Sequence, residues 1–192
     1  HVLKYLNNNK HHKIILAANT KLEINCYVDA SWGIHADGKG HTGIYATLGV
    51  GPVLSRSIKQ KCIGLSSTEA EIIGLTTAYP SVSWLRSFLI AQGYHMEAAI
   101  IHQDNKGVLD LLKLDSGVSI RTKHFNIKYF AIKEKIINNE IILRKCESTN
   151  MLADIFTKPL QGNYFRKLRN LTMGYNESYI IATKERDEEN SM

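Results

Sequence analysis

Four carboxylates in this 192-residue chain stand where regular structure would hold them rigid. Asp29 closes the apolar alternation of "LEINCYVD", and Asp104 follows the apolar run of "AAIIHQDN". Glu71 lies in the first turns of the periodic segment that opens with "LSSTEAEIIGL", and Asp154 sits four residues after Asn150 in "NMLADIF". Taken singly, each has an ordinary structural use. Asp104 can cap the helix that follows it, Glu71 and Asp154 can answer a helix dipole from a first turn, and Asp29 can begin an Asx-type turn. Taken together they are hard oxygen donors, the ligand type that Mg²⁺ selects. A pair of such ions about 3.5–4 Å apart activates a water and holds a departing oxyanion, which is what phosphodiester hydrolysis requires.

Such a set converges only if several elements end at one place. Leu22, Ile24, Cys26 and Val28 alternate at the period of a strand running to Asp29. Further strands are expected at His41–Leu48 and Val53–Lys61, separated by "GVGP", so that the first three form an antiparallel meander. Ser66-x-x-Glu69 and Thr68-x-x-Glu71 both match a capping box, which starts a helix and leaves its N-cap open between the two. Pro80 is expected to end or kink this helix before Trp84, Leu85, Phe88 and Leu89 restart the pattern up to Gly93. A fourth strand leads into Asp104, a short helix carries Val108, Leu111 and Leu112, and a long one carries Phe125, Tyr129, Ile132 and Ile136. "EIILRKC" reads as the fifth strand, "NMLADIF" opens a helical region broken by Pro159, and "YFRKLRNL" is one more amphipathic piece. Five strands with helices inserted after the third and fourth make a mixed α/β layout.

The bulk properties narrow the classes. A hydrophobic fraction of 44% supports one well-buried domain, and a formal net charge of +6 suits a polyanionic partner. Cys26, Cys62 and Cys146 stand far apart with no C-x-x-C pair, which argues against a disulfide framework or a zinc site and favours a reducing compartment. His11-His12 reads as a solvated loop pair. No window has the roughly 18 uncharged apolar residues of a membrane span, so no membrane partner is expected. Residues 1–20 read as a helix end and linker from a preceding domain, 21–174 as one domain, and 175–192 as a charged, mobile tail.

The order strand-Asp, helix-Glu, strand-Asp, helix-Asp resembles the Asp-Glu-Asp-Asp pattern of the ribonuclease H fold. The strings "YVDASWG", "LSSTEAE", "DNKGVLDLL", "RTKHFNIKYFAIKEKI", "EIILRKC" and "LADIFTKPL" together resemble the ribonuclease H domain that closes the polyprotein of copia-type retrotransposons. The likeness covers about His1 to Met173, with "HVLKYL" similar to the segment joining the family's reverse transcriptase to this domain. It implies a five-stranded mixed sheet, the first three strands antiparallel, flanked by helices. It also implies an endonuclease that cuts the RNA strand of RNA–DNA hybrids during reverse transcription, with two Mg²⁺ ions that Mn²⁺ can replace. The partners implied are the hybrid and the reverse-transcriptase domain of the same polyprotein, in a cytoplasmic virus-like particle or the nucleus.

The resemblance also assigns residues. Residues two apart on a helix point about 200° away from each other, so only one of Glu69 and Glu71 can face the ends of the strands. The apolar phase leaves this open because Ile72 and Ile73 widen the buried arc; the family's pattern selects Glu71 and leaves Glu69 to the cap. Asp29 would bridge both metals, Glu71 and Asp104 would complete the leaving-group site, and Asp154 would hold the nucleophile-side ion loosely. The 2′-hydroxyls and minor-groove shape of a hybrid would be read by Ser31, Ser66, Ser67, Thr68, Asn105 and Asn150, although helix capping alone accounts equally well for Ser66 to Thr68. Arg121, Lys123, His124 and Lys128 would meet phosphates or form a solvated charged helix face. One feature departs from cellular ribonucleases H: the segment Cys146-Glu147-Ser148-Thr149 lacks their loop histidine. That departure implies weak activity of the isolated chain or a need for the neighbouring polymerase domain. A non-catalytic hybrid-binding or scaffolding module is the alternative, against which the presence of all four acids weighs. An integrase of the same superfold needs three acids ending in Glu and does not fit this order.

Overall fold

The computed structural model describes residues 2–113 and 123–175, with only the backbone of 123–126. A short helix α1 (Val2–Asn8) leads to strand β1 (Ala17–Ala18). Then follow β2 (Asn25–Ser31), β3 (His41–Thr47), β4 (Gly49–Val50) and β5 (Leu54–Lys59). Helix α2 (Ser67–Ala91) precedes β6 (Ala99–Gln103), α3 (Lys106–Lys113), α4 (Lys123–Ile137) and β7 (Ile141–Lys145). Two 3₁₀ turns, Ser148–Asn150 and Leu152–Phe156, come before α5 (Gly162–Thr172).

The main sheet has the order β5-β3-β2-β6-β7. β2/β3 and β3/β5 are antiparallel, and β2/β6 and β6/β7 are parallel. This is the mixed five-stranded sheet with an antiparallel first triplet that the sequence implies, and the fold is ribonuclease H-like α/β. Period-two alternation sends Ile24, Cys26 and Val28 to one face, all essentially inaccessible. There α2 lays Ile72, Leu75, Ala78 and Val82 on the sheet, and Tyr129 and Ile132 of α4 complete the core. Full burial of each large apolar side chain contributes about 1.5–3 kcal/mol. The opposite face carries a smaller cluster, Cys146, Met151 and Ala153 packed against Tyr27.

Three elements differ from the sequence reading. Pro80 does not end its helix: α2 runs unbroken from Ser67 to Ala91 and is closed by Gly93 at φ +90°. A proline in a helix interior removes one hydrogen bond at a cost of about 3 kcal/mol, but the helix here is anchored on both sides of Pro80 by buried Leu75, Ala78, Val82 and Leu89. The region opened by "NMLADIF" forms two 3₁₀ turns, not an α-helix. β2 also extends two residues past Asp29, to Ser31.

The stretch before β2 is built into the domain surface. β1 pairs with β4, Ile15 N–H donates to the Met173 carbonyl at 2.9 Å, and Asn19 N–H donates to the Leu48 carbonyl at 2.9 Å. Gly51 sits at φ +72°, and a Cβ there would stand 1.9 Å from the Ile15 carbonyl oxygen. Gly51→Ala is therefore expected to destabilise the chain by about 1–3 kcal/mol, read as a lowered urea midpoint. An unchanged midpoint would mean that this strap, residues 15–19, is not seated on β4.

Candidate active site

The site forms where the central strands end. Asp29 projects from β2 opposite Gly43 of β3, and Asp104 follows the last residue of β6. Glu71 lies one turn into α2. The missing side chain at Gly43 matters, because a Cβ there would come 2.6 Å from the carbonyl oxygen of Ala153. Glycine at this position lets the 3₁₀ turn that carries Asp154 press onto the sheet beside Asp29.

The N-cap of α2 is Ser66. Its hydroxyl accepts the Glu69 N–H at 3.1 Å, and Glu69 accepts the Leu65 N–H at 2.9 Å. Glu69 thus serves the helix end, while Glu71, 5% exposed, turns towards the sheet. Asp29, Glu71 and Asp104 each offer a carboxylate oxygen within 4.8 Å of the others. Asp154 stands outside that trio but is joined to Asp29 by one ammonium: Lys158 Nζ lies 2.6 Å from Asp154 Oδ1 and 3.5 Å from Asp29 Oδ1.

Burial of so much like charge shows in the acid strengths. Burial first, then the neighbouring Asp29 and Asp104, push the Glu71 carboxyl up to about 9, against hydrogen bonds from Gln103 and the Ala30 backbone. Asp29 is raised as well, chiefly by burial, with the Thr157 hydroxyl and Lys158 pulling the other way. Burial works against the charge of Lys158, but Asp154 and Asp29 outweigh it and keep it an ammonium. Tyr164 Oη lies 3.1 Å from Asp154 Oδ2 and 2.9 Å from the Ser148 carbonyl; burial and Asp154 push this phenol up to about 12, so it remains a donor.

Among the described residues no ion pair reaches Glu71 or Asp104. Two buried carboxylates and one half-buried one, without a protein cation for two of them, fit a divalent ion: the donors are all hard oxygens.

The residues expected to read nucleic acid are placed unevenly. Thr68 and Asn105 are neighbours, since a Cβ on Gly107 would lie 3.1 Å from both Asn105 Oδ1 and Thr68 Oγ1. Asn105 Oδ1 accepts the Val108 N–H at 3.1 Å and so also caps α3. Ser31 Oγ donates to the Thr157 carbonyl at 3.3 Å, and Ser67 is exposed in the first turn of α2. Asn150, exposed, holds Lys167 at 3.1 Å. Lys128 donates to Cys62 Sγ at 2.9 Å. Lys123 and His124 open α4 and are described by their backbone alone, and Arg121 and the tail from residue 176 lie outside the described residues.

Four residues of the site were not singled out from sequence: Gln103, Thr157, Lys158 and Tyr164. The i, i+4 spacing of Asp154 and Lys158 was the available signal. Thr157, which hydrogen-bonds Asp29, lies with Lys158 in the string "LADIFTKPL", whereas Gln103, which hydrogen-bonds Glu71, had no signal beyond its nearness to Asp104.

Comparison with known proteins bears on the origin of this arrangement. No family model matches the chain. It is 32% identical over 146 residues to the retrovirus-related Pol polyprotein from transposon TNT 1-94 of Nicotiana tabacum, covering 76% of this chain and 11% of that relative. To the Pol polyprotein from transposon RE1 of Arabidopsis thaliana it is 30% identical over 167 residues, covering 86% and 11%. Its homologues are retrovirus-related Pol polyproteins from copia-type transposons. The chain spans about a tenth of the length of the curated relatives it matches. Among solved structures, LC11-RNase H1 isolated from compost superposes with a TM-score of 0.51 at 15% identity, over 70% of this chain and 91% of that protein, which agrees with the fold described above. No helix among the described residues is long and apolar enough to cross a membrane.

Proposed function

We propose that this chain is an endonuclease that hydrolyses the RNA strand of RNA–DNA hybrids by two-metal-ion catalysis during reverse transcription of its transposon. The observation that carries the reading is the convergence of Asp29, Glu71 and Asp104 within 4.8 Å, at the ends of two neighbouring strands and the start of a helix. Asp29, Glu71 and Asp104 would hold one divalent ion, and Asp29 with Asp154 would hold the other. Bound there, Mg²⁺ or Mn²⁺ supplies water activation and stabilisation of the departing oxyanion. The chain's own groups set the geometry. Thr157 fixes one oxygen of Asp29, Gln103 steadies Glu71, and Tyr164 steadies Asp154. Thr68 and Asn105, which are neighbours, would meet the 2′-hydroxyls that distinguish RNA, with Ser67 exposed in the turn before Thr68. The neighbouring partner in this reading is the reverse-transcriptase domain of the same polyprotein, in a cytoplasmic virus-like particle or the nucleus.

A second reading, a hybrid-binding module with little activity, draws on one observation: both oxygens of Asp154 face donors of the chain itself, Lys158 and Tyr164. The test uses a hybrid labelled on its RNA strand. The endonuclease reading expects internal RNA cuts that need Mg²⁺ or Mn²⁺, stop with EDTA and spare double-stranded DNA. Tight hybrid binding without cuts at any divalent concentration would leave only the second reading.

A further inference from the structure

We infer that Lys158 is a resident counter-ion for the second cation position, holding Asp29 and Asp154 together until a divalent ion displaces its ammonium. The inference rests on the metal-binding reading of the carboxylates, and divides them into two unlike halves. No ion pair among the described residues reaches Glu71 or Asp104, although Asp104 adds to the field on Lys158, whereas Asp29 and Asp154 share its ammonium in direct contact.

The geometry is that of a placeholder. Lys158 Nζ is 2.6 Å from Asp154 Oδ1 and 3.5 Å from Asp29 Oδ1, and both acids are buried, Asp154 at 4% and Asp29 at 3% exposure. The remaining oxygen of each acid faces a neutral hydroxyl: Thr157 for Asp29, and for Asp154 Tyr164, whose one proton is shared with the Ser148 carbonyl. The two oxygens that meet the ammonium are the ones a shared cation would meet. An ammonium in hydrogen-bond contact with them occupies the space in which a divalent ion, bound at about 2.0–2.1 Å, would lie. The two cannot share it.

The backbone of the placeholder is fixed while its head is free to leave. Lys158 N–H donates to the Asp154 carbonyl at 2.9 Å, Ser57 Oγ donates to the Phe156 carbonyl at 2.6 Å, and Pro159 follows. The lysine side chain is 40% exposed, so rotation of a flexible four-carbon stem carries the ammonium into water without moving the turn. A divalent ion has twice its charge and wins when its concentration, or a bound phosphate, makes good the cost of its dehydration. The result is ordered filling: the Asp29–Glu71–Asp104 position takes the first ion, and the second enters only against Lys158.

The test titrates Mn²⁺ into the full chain without substrate, counting bound ions by calorimetry and by the loss of the free-ion electron paramagnetic resonance signal. Wild type, Lys158→Met and Lys158→Gln are compared, the second variant guarding against misfolding of the first. In both variants the second Mn²⁺ is expected to bind about tenfold more tightly, the scale of a partly exposed ion pair released from competition, with the first site, which shares Asp29, tightening by less. In EDTA the variants should melt below wild type, and Mn²⁺ should raise their melting temperatures by more than it raises that of wild type. Unchanged or weaker second-site binding in folded variants overturns the inference, as does loss of the first site, which would make Lys158 a builder of the site and not a competitor. Absence of any bound Mn²⁺ in wild type would instead strike the metal reading itself.

Discussion

Asp29→Asn and Asp104→Asn are each expected to reduce Mg²⁺-dependent cleavage of the RNA strand by at least about a hundredfold. Metal-borne charge stabilisation in a transition state is worth several kcal/mol, and every 1.36 kcal/mol is a factor of ten in rate. Both substitutions keep the size of the side chain and one acceptor oxygen. The amide introduced in place of Asp29 can still accept from Thr157, so packing at the end of β2 survives while the anionic ligand is lost. Asp104, half-exposed after β6, has even less to do with the core. Circular dichroism should therefore match wild type while product formation disappears. Rates within a few-fold of wild type for both variants would sink the assignment of the three carboxylates, whatever the fold.

Glu71→Gln is expected to separate stability from metal binding. The ordinary carboxyl value is 4.5, and in the folded chain that of Glu71 is pushed up to about 9 by burial and by Asp29. Between those two values the folded protein keeps a proton that the unfolded chain has lost. Unfolding then releases a proton, and rising pH favours it. The contribution is present in full below about 4.5, falls by up to about 1.4 kcal/mol per pH unit, and is gone above about 9. Asp29, also raised by burial, adds to the same trend. In EDTA, wild type should therefore melt at a lower temperature at pH 8 than at pH 6. Glu71→Gln should flatten most of that slope, because its amide oxygen still accepts from Gln103 and carries no charge to bury. In the proposed metal binding Mg²⁺ would compete with this proton, so its stabilisation of wild type should grow with pH and be reduced in the variant. A variant that melts below wild type at pH 8 in EDTA would contradict this account of Glu71.

Much of the fold was legible because local periodicity and global packing agree. The β2 alternation, the apolar β6 and the capping box at Ser66 each say on their own what the sheet and α2 require. At Pro80 local rule and global packing disagree, and of the end or kink expected there the end does not occur. The rule about proline is local, and the burial of α2 on both sides of it is not. The two 3₁₀ turns were hidden because "NMLADIF" has helical apolar spacing, while its geometry is set by docking onto Gly43. The strap was hidden because β1 has two residues and no periodicity to detect. At the site, the acids could be found from their order along the chain. Thr157, Lys158 and Tyr164 act through the acids, and only the packed turn shows which oxygens they reach.

Helix α5 joins two places that the chain reaches at very different times. Near its beginning Tyr164 touches Asp154, and just past its end Met173 accepts the Ile15 N–H. Its 11 residues span about 16 Å as a stiff rod. Helix α5 therefore ties the segment around Ile15 to the turn that carries Asp154, so the two are held at a fixed spacing by one rigid element.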